Sequence, residues 1–96
     1  MSDNKRDIVY SNRFKKDYRK AHKQGKDMDL VDWIIGQLAN DIPLQEKYYD
    51  HALKGNWKGY RECHVTPDLL LVYEKTDGGE LVLVLVRLAS HSELNF

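Results

Sequence analysis

The sequence predicts an α+β fold, two N-terminal helices packed on an antiparallel β-sheet, within one domain of residues 1–96. Three observations carry that expectation. Phe14, Tyr18 and Ala21, then Val31, Ile34, Ile35, Leu38 and Ile42, keep helical spacing. Leu69–Glu74 and Glu80–Leu88 are apolar at nearly every position, joined by the hairpin signal Thr76-Asp77-Gly78-Gly79. The apolar faces of the helices need a covering layer, and the strands supply one.

Ninety-six residues suffice for one core and not for two. With 42% hydrophobic and 31% charged residues the chain reads as globular, not disordered. A formal net charge of zero excludes a global basic signature for nucleic acid. Locally, residues 1–26 hold nine Lys/Arg against three acids, and the remainder is acidic to the same degree. Such asymmetry marks a basic binding face or a solvated helix surface. Cys63 stands alone, which excludes an intrachain disulfide and zinc-finger spacing and fits a reducing cytosol. MSDNKRD has no apolar core of a signal peptide, and the longest apolar runs fall far short of a bilayer span. A cytoplasmic location, with no membrane partner, is the expectation.

In order, Asp7–Tyr10 is a short strand candidate. Ser11 can cap a first helix, which Gly25 stops. Asp27 or Asp29 suits the start of a second helix, where an acid meets the positive end of the dipole. Asn40–Pro43 ends it, because proline disfavours helix in the residue before it. Residues 44–56 read as a loop long enough to be functional. Trp57–Val65, Leu69–Glu74 and Glu80–Leu88 then form a three-stranded meander, its last two strands covered on both faces or covered on one by a partner protein.

The meander has a chemical consequence. The first strand ends, the second starts and the third ends at the same edge of the sheet. His64, Asp68, Arg87 and His91 therefore gather there, although 27 residues separate His64 from His91. Arg61 lies further down its strand. His51 precedes Trp57 by six residues, which can span roughly 20 Å and so can reach the same edge. Histidines take and give protons near neutral pH, and arginine holds phosphate through paired N–H bonds. The set suits metal-free phosphodiester transfer in RNA. One group removes the 2′-OH proton, another protonates the leaving 5′-oxygen, and cations stabilise the charged transition state.

Each residue also has a plainer reading. His64 can simply end a strand, Asp68 can be a turn residue, and His51 and His91 can be solvated. Arg61 and Arg87 can pair with Glu62, Glu74 or Glu93. Trp57 and Tyr60 suit anchoring better than base stacking, whereas the terminal Phe96 could stack on a base. His51, His64, Asp68 and His91 could in principle ligate a metal, but no helical HxxxH or HExxH pair exists.

The segments DHALKGNWKGYRECHVTPDLLLVYE and RLASHSEL, with the opening DIVYSNRFKKDYRKAHKQGKDM, resemble the YafQ-type toxins of the RelE/ParE superfamily. The resemblance implies a RelE-like fold and a ribosome-dependent endoribonuclease that cuts mRNA in the ribosomal A site without metal or other cofactor. It implies a cognate antitoxin of the DinJ/RelB kind, in a complex that represses its own operon by binding operator DNA. It carries catalytic roles onto His51, His64, Asp68, Arg87 and His91. Substrate contacts are expected from Arg61, from Phe96 and from Lys15, Lys16 and Arg19 on the basic first helix. In this chain Asn95 is inserted before Phe96, which moves the aromatic one place from the family's SHSELF pattern. The alternative is a non-catalytic, ParE-like or corepressor module acting through a protein partner.

Overall fold

The computed structural model describes residues 4–94. The chain runs β1 (Asp7–Tyr10), α1 (Asn12–Lys23), α2 (Met28–Ala39), β2 (His51–Ala52), β3 (Arg61–Thr66), β4 (Leu69–Thr76), β5 (Val82–Ala89) and α3 (His91–Leu94). The strands form one sheet in the order β1-β5-β4-β3-β2. Neighbours are antiparallel except β1, which runs parallel to β5. A parallel neighbour needs a long connection, and everything from α1 to β4 intervenes here.

The helix ends follow their chemistry. Ser11 Oγ accepts from the Phe14 N–H at 3.0 Å, Gly25 turns left-handed at φ 76°, and Asp27 accepts from the Leu30 N–H at 3.1 Å. Ile42 does not continue the second helix as its spacing suggested. α2 stops at Ala39, Asp41 is left-handed (φ 55°), and Ile42 is exposed just before Pro43.

Phe14, Val31, Ile34 and Leu38 pack on one face of the sheet, against Cys63, Leu69, Leu71, Tyr73, Leu83 and Leu85. On the other face Leu70, Val72, Ala89 and Leu94 are covered by Leu53, Trp57, Tyr60 and Val86. Cover on both faces explains why β4 is apolar at nearly every position. Burial pushes the Cys63 thiol up, so it packs as a core group.

Two expectations in the middle of the chain need correction. Residues 44–56 are not simply a loop, since His51 and Ala52 form the edge strand β2 opposite Glu62 and Arg61. The strand expected from Trp57 begins only at Arg61. A single 3-10 turn at Gly55–Trp57 and a left-handed Gly59 (φ 99°) fold the chain back first, and Trp57 packs edge-on to Tyr60.

A buried cation closes the far end of the sheet. Arg6 donates to Asp41 (2.6 Å), Asp77 (2.7 Å) and the Thr76 carbonyl (3.0 Å). It thereby ties the chain start, the end of α2 and the β4–β5 hairpin together. Hydrogen bonds from Arg6 and then Lys75 hold the Asp41 carboxyl well below the usual carboxylate range.

Candidate active site

Strand register assembles the site. His51 lies opposite Glu62, and His64 follows Glu62 by two residues on the same face of β3. His64 pairs with Leu70, Leu70 pairs with Ala89, and His91 opens α3 two residues beyond. The imidazoles form a row: His51 and His64 are 6.3 Å apart between ring centroids, and His64 and His91 are 5.7 Å apart.

Glu62 lies beneath this row, only 2% exposed. Its Oε1 is 3.5 Å from His51 Nε2 and 3.6 Å from His64 Nε2. Its Oε2 is buried with no hydrogen-bond partner among the described residues. Glu62, His64 and His91 can each offer one ligand atom within 4.8 Å of the others, a three-ligand set that fits a metal ion with an open position. That set differs from the one suggested by sequence, with Glu62 in place of His51 and Asp68.

His51 is oriented from behind. Its Nδ1 lies 2.8 Å from the Tyr49 carbonyl oxygen, which can only accept, so Nδ1 carries the hydrogen and Nε2 faces Glu62. α3 is fastened at its start. Glu93 accepts from the Ser90 backbone N–H (3.1 Å) and hydroxyl (3.0 Å), and it pairs with Lys20 of α1. Lys20 first, and then Ser90, bring the Glu93 carboxyl down to about 2.

The other expected residues sit differently. Asp68 occupies the β3–β4 turn, with its side chain 80% exposed and 3.6 Å from Lys26, outside the histidine row. Arg87 stands in register with Val72, and so in line with Glu62, but its Nε donates to Asp17 of α1 at 2.7 Å. Asp17 also accepts from the Leu88 N–H at 2.9 Å. Arg61 lies opposite Tyr73, on the helix-covered side, and donates to Asp50 and to the Tyr73 hydroxyl, both at 3.3 Å. Neither arginine takes the glutamate partner that the sequence offered. Lys15, Lys16 and Arg19 are exposed on α1. Phe96 lies outside the described residues.

Sequence reasoning missed Glu62 and Asp17 as site components. Strand alternation placed Glu62 on the same face as His64, and that signal was available. Asp17 looked like one more solvated charge on a basic helix. Chemically, a row of imidazoles over a buried carboxylate can accept and deliver protons across about the span of one phosphodiester group.

The family model described as "Bacterial toxin of type II toxin-antitoxin system, YafQ" matches residues 6–95. The chain is 47% identical over 73 residues to the mRNA interferase toxin YafQ of Escherichia coli strain K12, covering 75% of this chain and 79% of that protein. Among solved structures it resembles the E. coli DinJ–YafQ toxin–antitoxin complex, with a TM-score of 0.84 and 42% identity, covering 94% of this chain and 97% of the matched one. It is similar to a metal-bound toxin from Helicobacter pylori, with a TM-score of 0.84 and 50% identity over 92% and 97% of the two chains.

Proposed function

This chain belongs to the YafQ family of bacterial type II toxin–antitoxin toxins, and we propose that it halts translation by cutting ribosome-bound mRNA in the A site through metal-free acid–base chemistry. The observation that carries this reading is the row His51–His64–His91 over the buried Glu62. Two of the imidazoles divide the work. One takes the 2′-OH proton as that oxygen attacks phosphorus, and another protonates the departing 5′-oxygen. A proton taken up at His51 Nε2 arrives 3.5 Å from a carboxylate oxygen, so Glu62 compensates the transient charge. Arg87 supplies positive charge to the phosphate. Asp68 enters this reading through the family resemblance, and its exposure leaves it open to RNA.

Lys15, Lys16 and Arg19 support contacts to ribosomal RNA phosphates, a sequence-independent contribution that salt weakens. The E. coli relative is found in complex with DinJ, which supports a DinJ/RelB-like antitoxin as this chain's partner, and the binding of operator DNA by that pair enters through the family resemblance. No described helix is long and apolar enough to cross a membrane, and ribosomes as substrate place the activity in the cytoplasm. A metal on Glu62, His64 and His91 would occupy nitrogens that must move protons, so it opposes the reaction rather than assisting it.

The test is primer-extension mapping of a defined mRNA with and without translating ribosomes, for wild type, His64→Ala and His91→Ala. Cuts are expected with ribosomes only, and each alanine variant should be about 10²–10⁴-fold slower. Folded alanine variants that cut at the wild-type rate would remove the assignment. Growth arrest without any shortened mRNA would favour the ParE-like binding module. Chelator-treated toxin returned to magnesium-containing ribosome buffer should keep its full rate, whereas a lasting loss would mean a required metal.

A further inference from the structure

Tyr49 combines three features that packing does not explain. Its backbone is left-handed (φ 47°, ψ 51°), an uncommon conformation for a residue with a Cβ, shared among the described non-glycine residues only with Asp41. It is 63% exposed, more than Val9, Tyr10, Trp33 or Ile42, while the neighbouring Tyr48 fills the core position. Its ring centroid lies 4.6 Å from that of His51 and 5.4 Å, edge-on, from that of His64. An exposed aromatic ring therefore lies against both His51 and His64 at one end of the row of imidazoles. An open groove lined by Pro43, Leu44, Glu46 and Asp50 runs beside it.

A strained, solvent-facing tyrosine next to proton-transfer groups fits the chemistry of single-stranded RNA. Unstacked bases lose their neighbours' π-faces and recover them on aromatic side chains. We propose that Tyr49 is a nucleobase-stacking platform, which holds a base of the cut codon against the His51–His64 end of the site. The proposal rests on the reading of the site as an mRNA nuclease. It assigns Tyr49 a substrate contact beside the cut, independent of Phe96. Because stacking tolerates any base but favours large ones, Tyr49 would bias the choice of codon without imposing a strict sequence.

Variants at Tyr49 separate stacking from structural support. Glycine adopts the left-handed backbone without strain, so Tyr49→Gly removes the ring and keeps the turn. Tyr49→Phe keeps the ring, and Tyr49→Leu keeps apolar bulk without a π-face. Single-turnover cleavage of mRNA on programmed ribosomes, across a toxin concentration series, gives a half-saturating concentration and a maximal rate. Tyr49→Phe should match wild type. Tyr49→Gly and Tyr49→Leu should need about 5- to 150-fold more toxin at a nearly unchanged maximal rate, with a redistributed set of cut codons. The proposal is overturned if Tyr49→Gly saturates with wild type. It is also overturned if the loss falls only on the maximal rate, which would make the ring a prop for His51. Wild type that cuts no ribosomal mRNA would instead bring down the nuclease reading, and this proposal with it.

Discussion

Glu62→Gln should lower activity and raise stability, and the structure sets both magnitudes. A carboxylate 3.5 Å from a protonated imidazole gains about 5 kcal/mol at an effective dielectric near 20. The His51 and His64 side chains are 33% and 23% exposed, so solvent screening reduces this to about 2–3 kcal/mol. Lost from the transition state, that is a rate about 30- to 150-fold slower. The folded protein, by contrast, keeps Glu62 Oε2 buried without a partner among the described residues. An unsatisfied buried polar group costs about 1–3 kcal/mol, and a neutral amide is cheaper to bury than a charge. A gain of about 1 kcal/mol would raise Tm by about 4–8 °C in a domain of this size. Thermal melts at pH 8.5, where histidine is ordinarily neutral, isolate the burial effect. Single-turnover cleavage on ribosomes measures the other half. Glu62→Gln cutting at the wild-type rate with a Tm no higher than wild type would refute the reasoning, and Glu62 would be an ordinary core group.

Asp17→Ala should cost about 3–5 kcal/mol of stability, because it strands Arg87 and the Leu88 N–H, and Asp17→Asn should slow cleavage less in an Arg87→Ala background than in wild type. Urea melts and the double-mutant cycle check both. Asp41 has a depressed carboxyl, so the stability it contributes is present above the ordinary aspartate value of about 3.9 and is lost as pH falls below it. The Tm gap between wild type and Arg6→Ala should therefore be widest above pH 5 and shrink below pH 4. Glu93 follows the same sign, its contribution fading as pH falls from the ordinary glutamate value of about 4.3 toward about 2. Glu93→Gln should loosen α3, slow cleavage through His91 and lower Tm modestly at neutral pH, a gap that closes as pH falls toward about 2. Copper or zinc should inhibit by seizing His64 and His91, chelator should restore the rate, and His91→Ala should weaken metal binding in a titration.

Much of this was legible in the sequence where a local rule decides. Ser11, Gly25 and Asp27 announce the helix ends because capping needs only a neighbouring backbone group. The double apolar face of β4 announces a central strand. The arrival of His64 and His91 at the same edge of the sheet follows from meander topology. What stayed hidden depends on a distant partner. β2 is two residues long and exists only through its pairing with β3, so no pattern of its own marks it. Asp17 sits among cations on a helix and looks solvated, and only the end of β5 makes it buried. Asp68 lies in the β3–β4 turn, at the edge where the strands converge. Its side chain, however, leaves from a turn, and a turn does not dictate direction as a strand does.

A break in strand alternation makes the site possible. Leu85 and Leu88 are three residues apart, yet both pack on the helix-covered face. The pairing with β4 jumps from Val72–Arg87 to Tyr73–Leu85, which leaves Val86 as the extra residue of a bulge. In an unbroken strand Leu88 would face the other side, and every residue after it would shift with it. With the bulge, Ala89 comes opposite Leu70 beside His64, and His91 enters the row. β1 ends at the Leu85 position, so no strand among the described residues pins the bulge from outside. α1 does so instead. Ser11 Oγ donates to the Val86 carbonyl at 2.9 Å, and Asp17 accepts from the Leu88 N–H and from Arg87. The helix that reads from sequence as a basic surface therefore also sets the phase of the strand that delivers Arg87 and His91. Its inner face holds that strand in place, while Lys15, Lys16 and Arg19 stay exposed on its outer side.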